Sequence, residues 1–329
     1  MKTKKIHIPF LLLTVSLILW NCETDITVDL PKPEDKLIVE GRIESGKPAT
    51  VFLTHNMGYF DPVEMPDIDS SDMNLSDYVA ALEASIGLIY DSTLLMTVSD
   101  GISTDTLNAG FTFTNFPYFG YFGNTIEGTP GHNYRLEIHY NNTLYWAETE
   151  ILQPVHIDST WFTFMEDNDS LGFLHFLFKD PESQRNFYAL ELQTIGEHYG
   201  YFPPYYGTTV FDDEGRNGDT LHYTPLTKGY DSNDFFQDGF ESDTAWLEAV
   251  YHKFGDEVNI KLSTINTSLF IFWESYYKHL GTAGNPFTNP ATLKSNIEGG
   301  KADGYWGGYG ASITNVTIDN TMIPDTLPE

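Results

Sequence analysis

An all-β architecture is the fold class that this sequence predicts. An immunoglobulin- or transthyretin-like β-sandwich comes first, followed by a larger β-rich domain with one or two helices. Three observations predict it. Short runs rich in Val, Ile, Leu, Phe, Tyr and Thr recur along the chain, several of them alternating apolar with polar residues. Gly, Pro, Asn and Asp punctuate those runs as turns. The length, 329 residues, exceeds the roughly 250–300 residues at which a single core stops growing, so two domains are expected, 36–153 and 155–329, meeting at Pro154.

The elements follow in order. Lys2, Lys4 and Lys5 precede an apolar run from Ile8 to Trp20. As a helix it would measure about 20 Å against a hydrocarbon core of about 30 Å, too short to span and suited to the apolar centre of a signal peptide over 1–21. The run ends at Leu19-Trp20-Asn21-Cys22, which resembles the bacterial lipoprotein box, although smaller residues are usual at positions 20 and 21. Cys22, the one cysteine, then becomes the first mature residue and the point of acylation. A plain secretory signal with an incidental cysteine is the alternative. Acyl chains on Cys22 would hold the protein to the outer-membrane bilayer. Glu23 and Asp25 resemble the acidic export signal of surface lipoproteins, which points to the cell surface, the periplasmic side being the other possibility.

Residues 22–35 are polar, contain Pro31 and Pro33, and read as an extended tether. Strands are expected at 36–43 and 49–54 around a hairpin-like turn, at 85–90, 93–98 and 110–115, and at 133–140 and 143–151. The last pair is the clearest hairpin: Tyr134, Leu136 and Ile138 alternate with Arg135, Glu137 and His139, and Asn141-Asn142 tolerates the positive φ of a type I′ turn. The acidic insertion 57–76 ends in a short helix near 75–82 with Ser76 as N-cap, or leads straight into the next strand. Beyond Pro154, strands are expected at 157–164, 173–178, 187–194, 208–211, 220–223, 246–252 and 258–265. Ser268 to Leu280 lacks Gly and Pro and has the length of a helix, with Gly281 as its stop. The tail is rich in Gly, Asn and Pro, and no internal repeat is visible.

Charge excludes a further class. With 17 Lys and Arg against 47 Asp and Glu the net charge is −30, so a nucleic-acid partner is not expected. Loss of residues 1–21 removes three lysines and leaves 14 basic against 47 acidic residues, a net charge of −33. Attachment to a membrane must then come from lipid, because anionic headgroups repel the polypeptide.

Several segments together resemble one family: LIVEGRI at 37–43 with VFLT at 51–54, GHNYRLEIHY at 131–140, Tyr145-Trp146-Ala147-Glu148-Thr149, Ile157-Asp158, Gly284-Asn285-Pro286-Phe287, Pro290, Ser295 to Gly300 and Gly304 to Ser312. Order and spacing carry the resemblance, which is to the Bacteroidota lipoproteins catalogued as domain of unknown function 4249. Residues 301–304 and 199–240 depart from the pattern. The resemblance implies a β-rich outer-membrane lipoprotein associated with a TonB-dependent transporter, and it supplies no catalytic residues.

Motifs of chemistry are sparse. The sequence contains no Gly-x-Ser-x-Gly, His-Glu-x-x-His or phosphate-binding loop, so no catalytic residue is assigned and the chain is not expected to be an enzyme. No histidines pair at metal-ligand spacing, and no cofactor is expected beyond the lipid on Cys22. Asp212, Glu214 and Asp219 lie in an acidic, glycine-containing loop that resembles a calcium loop in composition only; a solvated turn is the alternative. Two aromatic loops, 116–122 and 199–206, interleave rings with Gly and Pro. Rings that protrude there would contact a partner or ligand, which makes Tyr118, Tyr121, Tyr201 and Tyr205 candidate contact residues; aromatic caps on the core are the alternative. The function these readings favour is a non-catalytic binding or accessory module of a TonB-dependent transporter in nutrient uptake. A structural subunit of an outer-membrane assembly or secretion complex, and a surface hydrolase of glycan or peptide, are the alternatives.

Overall fold

The computed structural model describes residues 34–56, 75–91, 93–112, 119–182, 184–197, 199–204, 209–229, 243–282 and 292–324. Cys22 and residues 1–33, Tyr118 and Tyr205 lie outside them. The architecture is mostly strand, with three α-helices among the described residues.

The largest sheet has eight strands in the order β12-β11-β15-β16-β1-β2-β6-β5. These are β1 Leu37–Glu44, β2 Pro48–His55, β5 Asn108–Phe111, β6 Phe119–Glu127, β11 Phe187–Thr194, β12 Val210–Asp212, β15 Glu257–Ile265 and β16 Ala302–Thr317. Two smaller sheets flank it. One comprises β3 Leu95–Ser99, β4 Thr104–Thr106, β7 Asn133–Tyr140 and β8 Thr143–Glu150; the other β9 Ile157–Phe164, β10 Leu171–Lys179, β13 Thr220–Tyr223 and β14 His252–Lys253.

Alternation dictates which face each strand buries. Leu37, Val39 and Ile43 of β1 point the same way as Ala49, Val51 and Leu53 of β2, and they meet Met96, Val98, Leu136 and Ile138 of the first small sheet in one core. Tyr188, Leu190, Leu192, Val258, Ile260 and Leu262 meet Phe162, Leu174, Phe176 and Phe178 of the other small sheet in a second core. Apart from Ile297 and Trp306, the first core is built from residues before Pro154 and the second from residues after it, but the sheet they share does not divide there. Its strands come from both sides of that residue, and β1 pairs in parallel with β16 over eight residues.

On the opposite face of the large sheet lies helix α3, Thr267–Thr282, after α1 Leu75–Ile86 and α2 Asp243–Val250. Asn266 caps α3, its Oδ1 accepting from Leu269 N at 2.9 Å. Leu269, Phe270 and Phe272 then pack on Phe187, Ala189, Ile265, Tyr305 and Tyr309.

Several sequence expectations are corrected. Residues 85 and 86 end helix α1 instead of opening a strand, because Val79 and Leu82 bury one face of the helix against Leu88 and Phe119. The helix starts at Leu75, so Ser76 lies in its first turn and is not its cap. Residues 243–250 are helical, not extended; Val250 is fully buried and its neighbour Tyr251 meets Trp246 edge-on at 6.4 Å. Gly281 lies within the last turn of α3. The glycine-rich tail is the longest departure. Residues 302–317 form one sixteen-residue strand at the centre of the large sheet. Its glycines mark close approach: a Cβ on Gly308 would stand 2.4 Å from Glu150 O, and one on Gly310 2.1 Å from Leu152 O. The hairpin reading of Asn141-Asn142 matches the structure, with φ of 48° and 58° between β7 and β8.

Candidate functional site

The outward face of the large sheet is unusual for a central sheet, because its middle strands carry charges. Glu40, Arg42 and Glu44 alternate along β1 with the core residues. Their parallel partners on β16 are Tyr305, Gly307 and Tyr309. Gly307 lies opposite Arg42, and a Cβ there would meet the Leu269 side chain at 2.7 Å, so glycine keeps the helix seated on the sheet beside the guanidinium. Glu191 on β11 stands directly across from Lys261 on β15.

These side chains form a buried, balanced network. The Arg42 guanidinium forks onto Glu191, donating from Nη1 to Oε1 at 3.1 Å and from Nη2 to Oε2 at 2.9 Å. It also stands 4.4 Å from the Tyr309 ring centre. Lys261, 3% exposed, bridges the two acids, with Nζ 2.6 Å from Glu191 and 3.3 Å from Glu44. Lys47 reaches Glu44 from the solvent side at 2.7 Å. Burial alone would raise the Glu191 carboxyl, but Arg42 and Lys261 outweigh it and hold its pKa far below the carboxylate range. Glu44 is displaced in the same direction: burial opposes the shift and Lys261 and Arg42 drive it.

A cavity of about 300 Å³ opens above this floor. Tyr201 closes one side, its ring centre 4.3 Å from Lys261 Nζ and 5.6 Å from Lys47 Nζ. The next residue, Phe202, exchanges backbone hydrogen bonds with Leu192 at 2.8 and 2.9 Å. Tyr199, 85% exposed, stands at the rim, and Phe52 and Phe122 line the far wall, edge to face at 6.5 Å. Glu40 opens on this space and has no hydrogen-bond or ion partner among the described residues. Glu40 is itself exposed to solvent, and the protein packed around the cavity raises its pKa above the ordinary value through desolvation. The chemistry is asymmetric: the cations of the floor are already spent on Glu44 and Glu191, while one acid beside exposed rings still lacks a partner. A larger cavity, of about 810 Å³ beside α1, is lined mainly by apolar side chains such as Val79, Ala80, Phe111 and Phe119 and offers few polar contacts.

A family match covers residues 23–312, under the description domain of unknown function (DUF4249). The chain belongs to that family. No curated protein matches it. Among the described residues of this DUF4249 chain, no helix is long and apolar enough to cross a membrane.

The residues singled out in the sequence fare unevenly. Tyr201 lines the cavity of the DUF4249 domain. Tyr121 does not protrude: it is 4% exposed in the first core, and its hydroxyl donates to Ile89 O at 3.1 Å. The reason is that residues 119–127 are a strand inside the sheet and not an aromatic loop. In the acidic loop, Asp212 accepts from Arg185 Nε at 2.9 Å and Glu214 lies 3.8 Å from Arg216. Asp219 offers its backbone carbonyl to Asp180 N at 3.0 Å. Among the described residues, no three His, Cys, Asp or Glu side chains, these included, form a group that could hold a metal ion. The sequence reading passed over Glu40, Arg42, Glu44, Glu191 and Lys261. The available signal was LIVEGRI itself, where Glu40 and Arg42 alternate with Val39, Gly41 and Ile43.

Proposed function

We propose that this DUF4249 protein is a non-catalytic binding module. In this reading acylated Cys22 holds it to the outer membrane at the cell surface, and it serves a TonB-dependent transporter in nutrient uptake. The N-terminal half, residues 36–153, is the immunoglobulin- or transthyretin-like part. The observation that carries the binding role is Glu40, an acid without a partner in a cavity rimmed by Tyr199 and Tyr201. A ligand that brings an amino group, or another strong donor, to Glu40 and lays an apolar or planar face on the rings would complete the site. The signal-like segment, the tether and the family support the location and the partner.

Two measurements test the reading. Mild-detergent extracts of outer membranes should yield the lipoprotein together with a large β-barrel transporter; recovery of the lipoprotein alone would refute the partnership. Binding of a panel of lysine-containing oligopeptides should weaken about tenfold in Glu40→Gln, the loss of one charge-assisted contact of about 1.5 kcal/mol. Equal binding by the variant would remove Glu40 from the site.

A further inference from the structure

The outward face of the β9–β10–β13–β14 sheet brings together two histidines that the Glu40 cavity does not use. His175 on β10 stands across from Trp161 on β9, and His222 lies on the next strand, β13. His175 Nδ1 is 3.2 Å from His222 Nε2 and 2.7 Å from Thr224 Oγ1, and His222 Nε2 is 3.1 Å from the same hydroxyl. Three lone-pair atoms therefore form a triangle with edges of 2.7 to 3.2 Å. Two nitrogens bound at about 2.0–2.1 Å to one zinc-like ion stand about 2.9–3.4 Å apart, between right-angled and tetrahedral geometry. The imidazole pair already has that separation.

The surroundings hold the pair in place. The other nitrogen of His175, Nε2, is 2.8 Å from Thr163 Oγ1, the kind of outer hydrogen bond that fixes the tautomer and orientation of a metal-binding histidine. Trp161 stacks on the His175 ring with centres 5.0 Å apart and planes 4° from parallel, and its centre is 4.8 Å from the His222 ring. His222 is exposed, which leaves an approach from solvent.

We propose that His175 and His222, with the Thr224 hydroxyl beside them, bind a divalent transition ion of the zinc, nickel or copper class. Imidazole donors favour those ions over calcium or magnesium. Two histidines do not complete a coordination shell, so the remaining positions go to water or to a donor group of whatever docks on this face. Spacing in the sequence conceals the site, because the two histidines are 47 residues apart and only the β10–β13 pairing joins them.

The test is titration of the untagged full chain in detergent with nickel chloride, read by tryptophan emission, since an ion at this site lies against Trp161. A single saturable quenching step is expected, with no response to calcium. His222→Ala, at an exposed position, should weaken the apparent affinity at least tenfold with an unchanged melting temperature. Thr163→Val, which leaves both donors intact, should weaken it by about tenfold through loss of the orienting hydrogen bond. Quenching that persists unchanged in His222→Ala would place the ion at other histidines and overturn the proposal, as would the absence of saturation in the wild type or an equal response to calcium.

Discussion

Replacing Glu191 with alanine is expected to destabilise the protein by about 3–5 kcal/mol, the penalty for breaking a buried ion pair from one side. Glu191 is the shared acceptor of the network: Arg42 and Lys261 both bond to it, at 2.9 and 2.6 Å. Without it, Lys261 keeps only Glu44 at 3.3 Å, and the half-buried Arg42 fork faces an apolar methyl group and keeps only its own 3.3 Å contact to Glu44. Denaturant unfolding measures the loss as a lower midpoint at constant slope. A change below about 1 kcal/mol would mean that the two cations regain water, as exposed pairs do. Lys261→Met in the same background tests the mechanism. The double variant should be less destabilised than the sum of the singles, because the second substitution removes the charge that the first left unpaired. The network also sets a pH dependence. The native carboxyls of Glu191 and Glu44 bind protons more weakly than they do in the unfolded chain. Their contribution is therefore fully present above the ordinary carboxylate range and is lost as the pH falls through that range toward the native values.

The same network shows which parts of the molecule were readable in advance. Strands such as 37–44, 133–140 and 143–150 were legible because one face is buried and the other is not, and that asymmetry writes itself as alternation. The strand 302–317 was not legible. Its glycines are spaced like turn signals, yet they serve to let the backbones of Glu150 and Leu152 pass close by, a demand that comes from tertiary packing alone. Residues 243–250 carried too short an apolar pattern to separate helix from strand. For the site, local sequence supplied Tyr201 through its aromatic surroundings, while the charges of β1, though visible within LIVEGRI, were not singled out. It did not supply their partners, because Glu191 lies 149 residues from Arg42 and Lys261 lies 217 from Glu44. Only the order of strands in the sheet, β11-β15-β16-β1, makes these four residues neighbours.

A fragment of residues 36–153 is expected not to fold by itself. In the full chain β1 is an interior strand with β2 on one side and β16 on the other. Cutting at 153 removes the whole parallel partner, from Ala302 opposite Leu37 to Tyr309 opposite Glu44, and turns a buried strand into an open edge. It also empties the first core at its centre. Trp306 is fully buried there, its indole Nε1 donating to Tyr134 O at 3.0 Å and its ring so close to Gly41 that a Cβ would stand 2.8 Å away. Asn296 holds that tryptophan by both backbone groups at 2.9 Å, and residue 298 clamps Trp146 with reciprocal bonds of 3.0 and 2.8 Å. Loss of the indole alone costs about 3–5 kcal/mol, which Trp306→Ala in the full chain would measure. Against a total stability of about 5–15 kcal/mol for a domain, that cavity combined with a missing strand leaves no margin. The fragment should therefore lack dispersed amide resonances and a cooperative thermal transition. A dispersed spectrum would instead show that 36–153 is an autonomous sandwich to which β16 is merely added, and Trp306→Ala would then leave its stability unmoved.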